Sequence, residues 1–311
     1  MLKIGQLSLE SGVSIKTIRY YEELGLIQSP ERTEGQFRLF TPDTVHRLLF
    51  VKRLQSLGLS LQEIRECLVI HDHGELNLDS SRPLSFDDAE SLGFGEQSIE
   101  FGGSLVFPEN SNLGGDFDLE YLNGIIRNGH IIIGIDPQVG GRVNSDDTDF
   151  DVGNLSVGFF YNFNREYDNV PAFAIRTDLG LPTGNNARGL DFRLRGIASK
   201  TVGQFHRVHL NLDLNINTDP DDGDQSFLPA AILGYSRPIG YPKRFDRTFL
   251  AELGVITSDN SNGGVLIRTG MGIGQQINRQ GVIDWGIEGY IATNGNDQSQ
   301  LKLKIGYSFG F

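Results

Sequence analysis

The sequence predicts a two-domain α plus β protein, with a small all-α domain at the N-terminus and an up-and-down antiparallel β-barrel after it. Two observations support this fold class. Residues 1–75 hold 6 of the 39 glycines and a net charge of −1, whereas the rest of the chain has a net charge of −12. Hydrophobic residues follow a helical period at first and alternate with polar residues from about Ser98 onward. We therefore expect domains at 1–75 and 98–311, joined by a linker at 76–97.

The N-terminal domain carries start and stop signals for four helices. Ser14 is suited to cap a helix that ends at Gly25, and Thr41-Pro42-Asp43 combines a hydroxyl cap, a proline at the first helical position and an acid in the first turn. Ser60 and Glu63 form a capping box. The expected helices are 5–11, 15–24, about 41–56 and one from Ser60 onward. Before the third helix, SPERTEGQFRLF contains a glycine turn and a short alternating strand, so the pattern predicts a winged helix-turn-helix.

The second helix provides candidate DNA-binding residues. A helix that enters the major groove reads base edges with its N-terminal residues, and this first turn presents Lys16, Thr17 and Arg19 before any acid occurs. Tyr20 and Tyr21 are able to donate hydrogen bonds to phosphates, which fixes register without reading sequence. The same residues also fit a solvated amphipathic helix with ordinary surface charges, and the residues alone leave both interpretations open.

The spacing over the whole N-terminal domain is more specific than any one residue. The stretches KIGQLSLESGVSIKTIRYYEELGLI and RTEGQFRLFTPDTVHRLLFVKRLQSLGLSLQEIRECL closely resemble the DNA-binding domain of MerR-family regulators over residues 2–74. The resemblance implies that Arg19, Tyr20, Tyr21 and, in the wing, Arg38 lie on double-stranded DNA. It also implies the family mechanism, in which a homodimer binds a palindrome in an over-long promoter spacer and distorts the DNA so that polymerase can use it.

Two features of that family are missing from the sequence. Members continue into a long helix that pairs two subunits, whereas here HDHGELNLDSSRPLSFDDAESLGFGE is polar, contains Pro83 and has no heptad. Metal-sensing members place a cysteine just after this point, but the only cysteine is Cys67, and His71 and His73 are better explained as solvent-exposed. The homodimer expected from the family therefore lacks its dimerisation helix, and we expect neither a metal site nor a cofactor.

The C-terminal part alternates apolar and polar residues in segments of about 9–11 residues, the length of a tilted membrane-spanning strand. Long polar connections alternate with short ones, which is typical of an up-and-down barrel. In the last segment the apolar set is Leu301, Leu303, Ile305, Tyr307, Phe309 and Phe311. We expect about 12 strands, at 97–107, 115–123, 129–136, 149–164, 170–181, 187–200, 203–216, 227–237, 246–257, 264–277, 281–292 and 299–311.

A soluble sandwich or a lipocalin-like barrel also alternates in this way and also has aspartate-rich loops. The terminal phenylalanine, the strand number and the aromatic strand ends favour a membrane barrel. The stretches AFAIRTDLGLPTG, GLDFRLRGIASKTVG and HRVHLNLDLNIN resemble outer-membrane barrel proteins of the transporter or porin-like kind, including families associated with phenol-degradation pathways. That resemblance implies membrane insertion of residues 98–311 and a shape rather than a particular solute.

The sequence predicts no enzyme, because no nucleophile, base and orienting group come together in it. Gly270, Gly272 and Gly274 lie inside a strand, where a nucleotide loop does not form, and His206 and His209 point to opposite faces of one strand. No run of 18 apolar residues occurs, and the N-terminus shows no secretory signal.

The two halves of the chain indicate different compartments, so the localisation stays open between the cytoplasm and an outer membrane. Three functions fit the sequence. The first is a MerR-type transcriptional regulator that carries an unusual C-terminal β-barrel. The second is an outer-membrane channel or transporter whose helix-turn-helix is a fusion or an accident of the reading frame. The third is a soluble β-domain that senses a ligand for the regulator.

Overall fold

The structure, a computed structural model, divides the chain into two compact units, Met1–Glu75 and Leu76–Phe311. It describes residues 1–27, 31–32, 38–41, 43–56, 60–61, 64, 82–141, 149–167, 169–185, 187–203, 205–239, 246–278 and 280–311. Cys67, His71 and His73 lie outside the described residues.

The first unit contains helices and a small sheet. The helices are α1 (Ile4–Ser11), α2 (Ile15–Glu23) and α3 (Asp43–Ser56). The strands β1 (Leu2–Lys3), β2 (Glu31–Arg32) and β3 (Arg38–Phe40) pair antiparallel in the order β1-β3-β2. The sequence predicts the three helices and a strand in the wing, but not β1. Leu61 and Ile64 are helical, at the place where the sequence predicts a fourth helix.

Local signals explain where α1 ends and α2 begins. The C-cap of α1 is Gly12, whose φ of 63° lies in the left-handed region that favours glycine. Ser14 then caps α2 by accepting a hydrogen bond from the backbone N–H of Thr17 at 3.1 Å. The helices and the sheet enclose a core of fully or nearly fully buried side chains: Leu7, Ile18, Leu26, Ile27, Phe40, Leu48, Val51 and Ile64.

Twelve antiparallel strands close the second unit into a barrel, as the sequence predicts. They are β4 (Gln97–Pro108), β5 (Gly114–Ile126), β6 (Gly129–Ile135), β9 (Leu155–Asn164), β10 (Ala172–Leu181), β11 (Asp191–Val202), β12 (His206–Asn217), β13 (Phe227–Ile239), β14 (Arg247–Thr257), β15 (Val265–Gln276), β16 (Gly281–Ala292) and β17 (Gln300–Gly310). Each pairs with the next in this order, and β4 also pairs with β17, so these twelve strands form a closed ring.

One of the predicted strands, 149–164, is divided in the structure. Short strands β7 (Gln138–Gly140) and β8 (Phe150–Asp151) extend the sheet beside β5, and β9 begins only at Leu155. Gly153 separates β8 from β9 because its φ of 73° is incompatible with a continuous strand. The backbone N–H of Gly153 donates to Oδ1 of Asp151 at 2.9 Å, which fixes this turn.

Side chains on the twelve strands alternate between the outside and the inside of the barrel. On β17, Leu301, Leu303 and Ile305 are 42–56 % exposed on the outer surface. Lys302 and Lys304 point inward and form ion pairs with Asp116 and Glu288. The barrel therefore has an apolar outer face and a charged interior, the reverse of a soluble barrel.

The sequence analysis expects a linker at 76–97, but the residues described in the first part of this segment lie inside the barrel. Residues 82–92, called the plug below, have no regular secondary structure, but Leu84, Phe86, Ala89 and Leu92 are buried inside the barrel. The segment looks like a linker in the sequence because it is polar and irregular. Its polar groups are matched instead by the polar interior of the barrel. Among the helices that the structure describes, none is both long and apolar enough to cross a membrane.

Candidate nucleic-acid interface and occluded barrel lumen

The N-terminal half of α2 divides its side chains between solvent and core. Lys16, Arg19 and Tyr20 are exposed, and Tyr20 keeps 49 % of its surface. Ile18 is fully buried on the opposite side of the helix. Thr17 is half-buried, and its hydroxyl is 2.7 Å from the hydroxyl of Ser14. The predicted contact residues at the start of α2 are therefore presented together on one solvent-facing surface, ahead of Glu22.

Tyr21 is placed differently from its neighbour Tyr20. Its side chain is only 4 % exposed, and its hydroxyl donates a hydrogen bond to Oε1 of Gln55 in α3 at 2.6 Å. Burial raises the pKa of Tyr21, and the hydrogen bond with Gln55 partly offsets that rise. In this structure Tyr21 joins α2 to α3 instead of presenting its hydroxyl to solvent.

Arg38 begins β3 and lies beside α2. Its Nε forms an ion pair of 2.7 Å with Oε2 of Glu22. Arg38, Arg19 and Lys3 line one surface cleft of about 560 Å³ between α1 and the sheet. The structure thus brings two predicted contact residues together and adds Lys3, which the sequence analysis did not select. The signal that could have found it is a lysine directly before the first helix of the motif.

The interior of the barrel is lined by ion pairs. Arg176 on β10 contacts Glu120 at 2.8 Å and Asp178 at 3.1 Å. Arg195 on β11 forms two parallel hydrogen bonds of 2.6 Å to the carboxylate of Asp213. Paired, hydrogen-bonded charges of this kind are the form in which arginine tolerates burial. The wall formed by β10 and β11 is therefore rich in fixed guanidinium groups.

The plug is bound to this wall through the side chain of Asp87, and to the neighbouring strand β12 through the backbone of Asp87. The backbone N–H of Asp87 donates to Oδ1 of Asn211 at 2.7 Å, and Nδ2 of Asn211 donates back to the carbonyl of Asp87 at 2.9 Å. The carboxylate of Asp87 lies 2.5 Å from Arg195 and 3.6 Å from Arg176. The side-chain amide of Asn211 therefore satisfies both backbone groups of Asp87, as the backbone of a neighbouring strand would.

Further contacts fix the two plug residues that precede Asp87. The N–H of Ser85 donates to Glu252 at 3.0 Å, and its hydroxyl donates to Glu288 at 2.9 Å. The ring of Phe86 stacks on His209 with a centroid distance of 5.0 Å. A Cβ at Gly234 would overlap the Phe86 ring, so glycine is required there. The plug is thus held by shape as well as by charge.

Two larger cavities remain on either side of the plug. One of about 640 Å³ lies at the end with the long loops and is lined partly by Asp136, Asp191 and Asp221. The other, of about 520 Å³, lies at the end with the short turns, beside Arg127 and Glu166. The plug therefore separates two water-accessible openings of the same lumen.

Among the described residues, no group of three or more histidine, cysteine or acidic side chains is arranged to hold a metal ion. His209 lies between the hydroxyls of Ser199 at 2.9 Å and Ser236 at 3.0 Å. These three groups are fully or nearly fully buried beneath the plug.

The N-terminal residues match a known family. Residues 2–68 match the model described as MerR HTH family regulatory protein. The mercuric resistance operon regulatory protein of Bacillus cereus is 51 % identical over 73 residues, which are 24 % of this chain and 55 % of that protein. The HTH-type transcriptional regulator ZntR of Escherichia coli K12 is 44 % identical over 70 residues, 22 % of this chain and 50 % of that protein. The chain spans about half the length of these relatives. Its N-terminal unit is a MerR-type helix-turn-helix domain.

The barrel is similar to solved outer-membrane proteins. An outer membrane channel from Pseudomonas putida F1 superposes with a TM-score of 0.56 and 14 % identity, covering 73 % of this chain and 100 % of that one. The NanC porin superposes with a TM-score of 0.50 and 12 % identity, covering 68 % and 98 %. At such identities the likeness shows the fold alone, which is a porin-like barrel. None of these relatives and neighbours is described as an enzyme.

Proposed function

We propose that this protein is a DNA-binding transcriptional regulator of the MerR type that carries a porin-like barrel as its C-terminal part. The observation that supports it most directly is the cluster of three cations, Lys3, Arg19 and Arg38, in one cleft beside the exposed start of α2. Phosphate contacts from such cations supply most of the affinity of proteins for duplex DNA.

The exposed residues divide into two roles in this proposal. Lys16, Thr17 and Arg19, at the start of α2, read base edges in the major groove. Tyr20 binds a phosphate beside that groove, and Arg38 extends the contact from the wing. Tyr21 supports the interface from behind by holding α2 against α3, because its hydroxyl is already bonded to Gln55.

The proposal is tested by substituting Arg19 in the full chain. Arg19→Ala should weaken binding to the cognate duplex by about 1–3 kcal/mol if the guanidinium reads a base. Arg127→Ala is the matched control, because Arg127 is exposed on a turn of the barrel unit and its loss removes the same charge. Fluorescence anisotropy with labelled duplexes at several salt concentrations measures both variants. Equal affinity of the Arg19→Ala and unsubstituted proteins would remove Arg19 from the interface.

We also propose, as the second candidate function, that the barrel inserts into an outer membrane. The distribution of side chains supports it: Leu303 and Ile305 face outward, whereas charged residues such as Glu288 and Lys304 face inward. A soluble ligand-sensing barrel would need the opposite arrangement, so we do not favour the third function.

Refolding with and without detergent tests this second candidate. The fragment 80–311 should give stable β-structure by circular dichroism only when detergent or lipid covers its apolar outer face. Monodisperse β-structure in plain buffer would contradict membrane insertion and restore the soluble sensor.

Fractionation of cells then relates the two proposals to each other. An intact chain beginning at Met1 in the cytosol supports the regulator, whereas a chain beginning near residue 80 in the membrane supports the channel alone. N-terminal sequencing of each fraction distinguishes the two outcomes.

A further inference from the structure

Four residues form a row across four neighbouring strands of the barrel. Asp284 on β16 pairs with Gly306 on β17, Gly306 pairs with Gly102 on β4, and Gly102 pairs with Asp118 on β5. Residues paired in this way point to the same face of a sheet. Two inward-facing carboxylates are therefore separated by two glycines.

The glycines provide the space that these carboxylates occupy. A Cβ at Gly306 would overlap the carboxylate of Asp284, and a Cβ at Gly102 would overlap that of Asp118. Each aspartate thus leans over the glycine next to it, toward the other aspartate. Any larger residue at either position would push the two carboxylates apart.

One end of the row already holds a guanidinium group. Arg82 of the plug donates through Nη2 to Asp118 at 2.6 Å and through Nη1 to Glu100 at 3.2 Å. Arg82 lies over Gly102, because a Cβ at Gly102 would also overlap its Nη2. The space above the row therefore has the size and the charge that a guanidinium requires.

The other end of the row is different. Asp284 is 1 % exposed, and neither of its carboxylate oxygens has a hydrogen-bond partner among the described residues. The cations nearest to it are engaged elsewhere, Arg82 as above and Lys304 with Glu288 at 3.2 Å. Asp284, Asp118 and Arg82 line one cavity of about 370 Å³ beside the plug. A buried carboxylate without donors is costly, so this position favours a cationic ligand.

We propose that Asp284 and Asp118 form a cation-binding site in the lumen that takes a guanidinium or primary ammonium group. The ligand donates hydrogen bonds to Asp284 and lies over Gly306, in the way that Arg82 lies over Gly102. This site goes beyond DNA binding and does not depend on conduction through the barrel.

Calorimetric titration of the detergent-folded full chain with methylguanidinium tests the site. Asp284→Asn should weaken binding about tenfold or more, because the negative charge that strengthens the hydrogen bond is lost. Asp284→Glu keeps the charge and should retain most of the affinity. Asp224→Asn is the matched control, since Asp224 is exposed in a loop and loses the same charge.

A second variant covers the case in which Asp284→Asn does not fold. Gly306→Ala keeps every charge but crowds Asp284, and it should also weaken binding of methylguanidinium. Tetramethylammonium, which has no N–H donor, should bind far more weakly than methylguanidinium. The proposal is overturned if the unsubstituted chain does not bind methylguanidinium, if Asp224→Asn matches Asp284→Asn, or if tetramethylammonium binds equally well.

Discussion

Tyr20 and Tyr21 are neighbours of the same chemical type with different surroundings. Tyr21 lies three residues after Ile18, so helical geometry places both on the buried face of α2, whereas Tyr20 remains 49 % exposed. The family resemblance assigns both tyrosines to DNA, since a motif does not distinguish a residue that contacts DNA from one that holds the contacting helix in place.

Removing one hydroxyl at a time separates these two roles. Tyr21→Phe should lower the free energy of unfolding of the N-terminal unit by about 1 kcal/mol, because the hydrogen bond to Gln55 is lost. Tyr20→Phe should leave that stability unchanged and weaken DNA binding instead. Urea denaturation and fluorescence anisotropy measure the two quantities. If Tyr21→Phe weakened DNA binding without changing stability, its hydroxyl would belong to the interface after all.

The elements of the barrel were largely predictable from the sequence, and the plug was not. Strict alternation of apolar and polar residues predicts strands such as β12 and β17, because one face of each strand meets apolar surroundings and the other faces a polar lumen. The plug has no period. Arg82 and Asp87 acquire their partners only when strands far apart in the chain come together, as with Asp118 and Arg195.

The plug packs closely against Gly234 of β13, and this contact allows the position of the plug in the lumen to be tested. Gly234→Ala would bring a Cβ into the Phe86 ring, and overpacking of this kind costs about 1–3 kcal/mol. We expect the plug to detach more readily, which limited proteolysis in detergent should show as faster cleavage within 82–92. Gly196→Ala is the control, since a Cβ there meets nothing within 4 Å. Equal cleavage rates in the two variants would mean that Phe86 does not anchor the plug.

The outer face of β17 provides a test of membrane depth. Ile305 lies at the middle of the strand and Leu301 near its end, and both are exposed. Ile305→Arg should destabilise the lipid-folded barrel by about 2–4 kcal/mol, and Leu301→Arg by only about 0–1 kcal/mol. Urea unfolding in lipid vesicles measures both. Similar costs at the two positions would argue against a bilayer around this face.

At the scale of the whole molecule, self-association is the property that the family resemblance and the sequence predict differently. The relatives' family pairs subunits through a long helix, whereas the sequence after Ile70 is polar and has no heptad. We expect residues 1–75 alone to sediment as a monomer at micromolar concentration. A tight dimer would show that another surface replaces the missing helix, and a palindromic operator would then be the expected target.

The pairing of β4 with β17 also determines which of the two units is able to fold first during synthesis. Gln300 of β17 pairs with Pro108 of β4, so the barrel has no way to close until β17 has been synthesised. Ribosomes add about 5–20 residues per second, so roughly 10–50 s pass between the synthesis of residue 75 and that of residue 311. Throughout that interval the helical unit is able to fold, while the strands already synthesised lack the partner that closes the barrel and are open to pairing with other chains. During its synthesis each molecule therefore consists of a helical unit that is able to fold and a barrel segment that is not yet able to close.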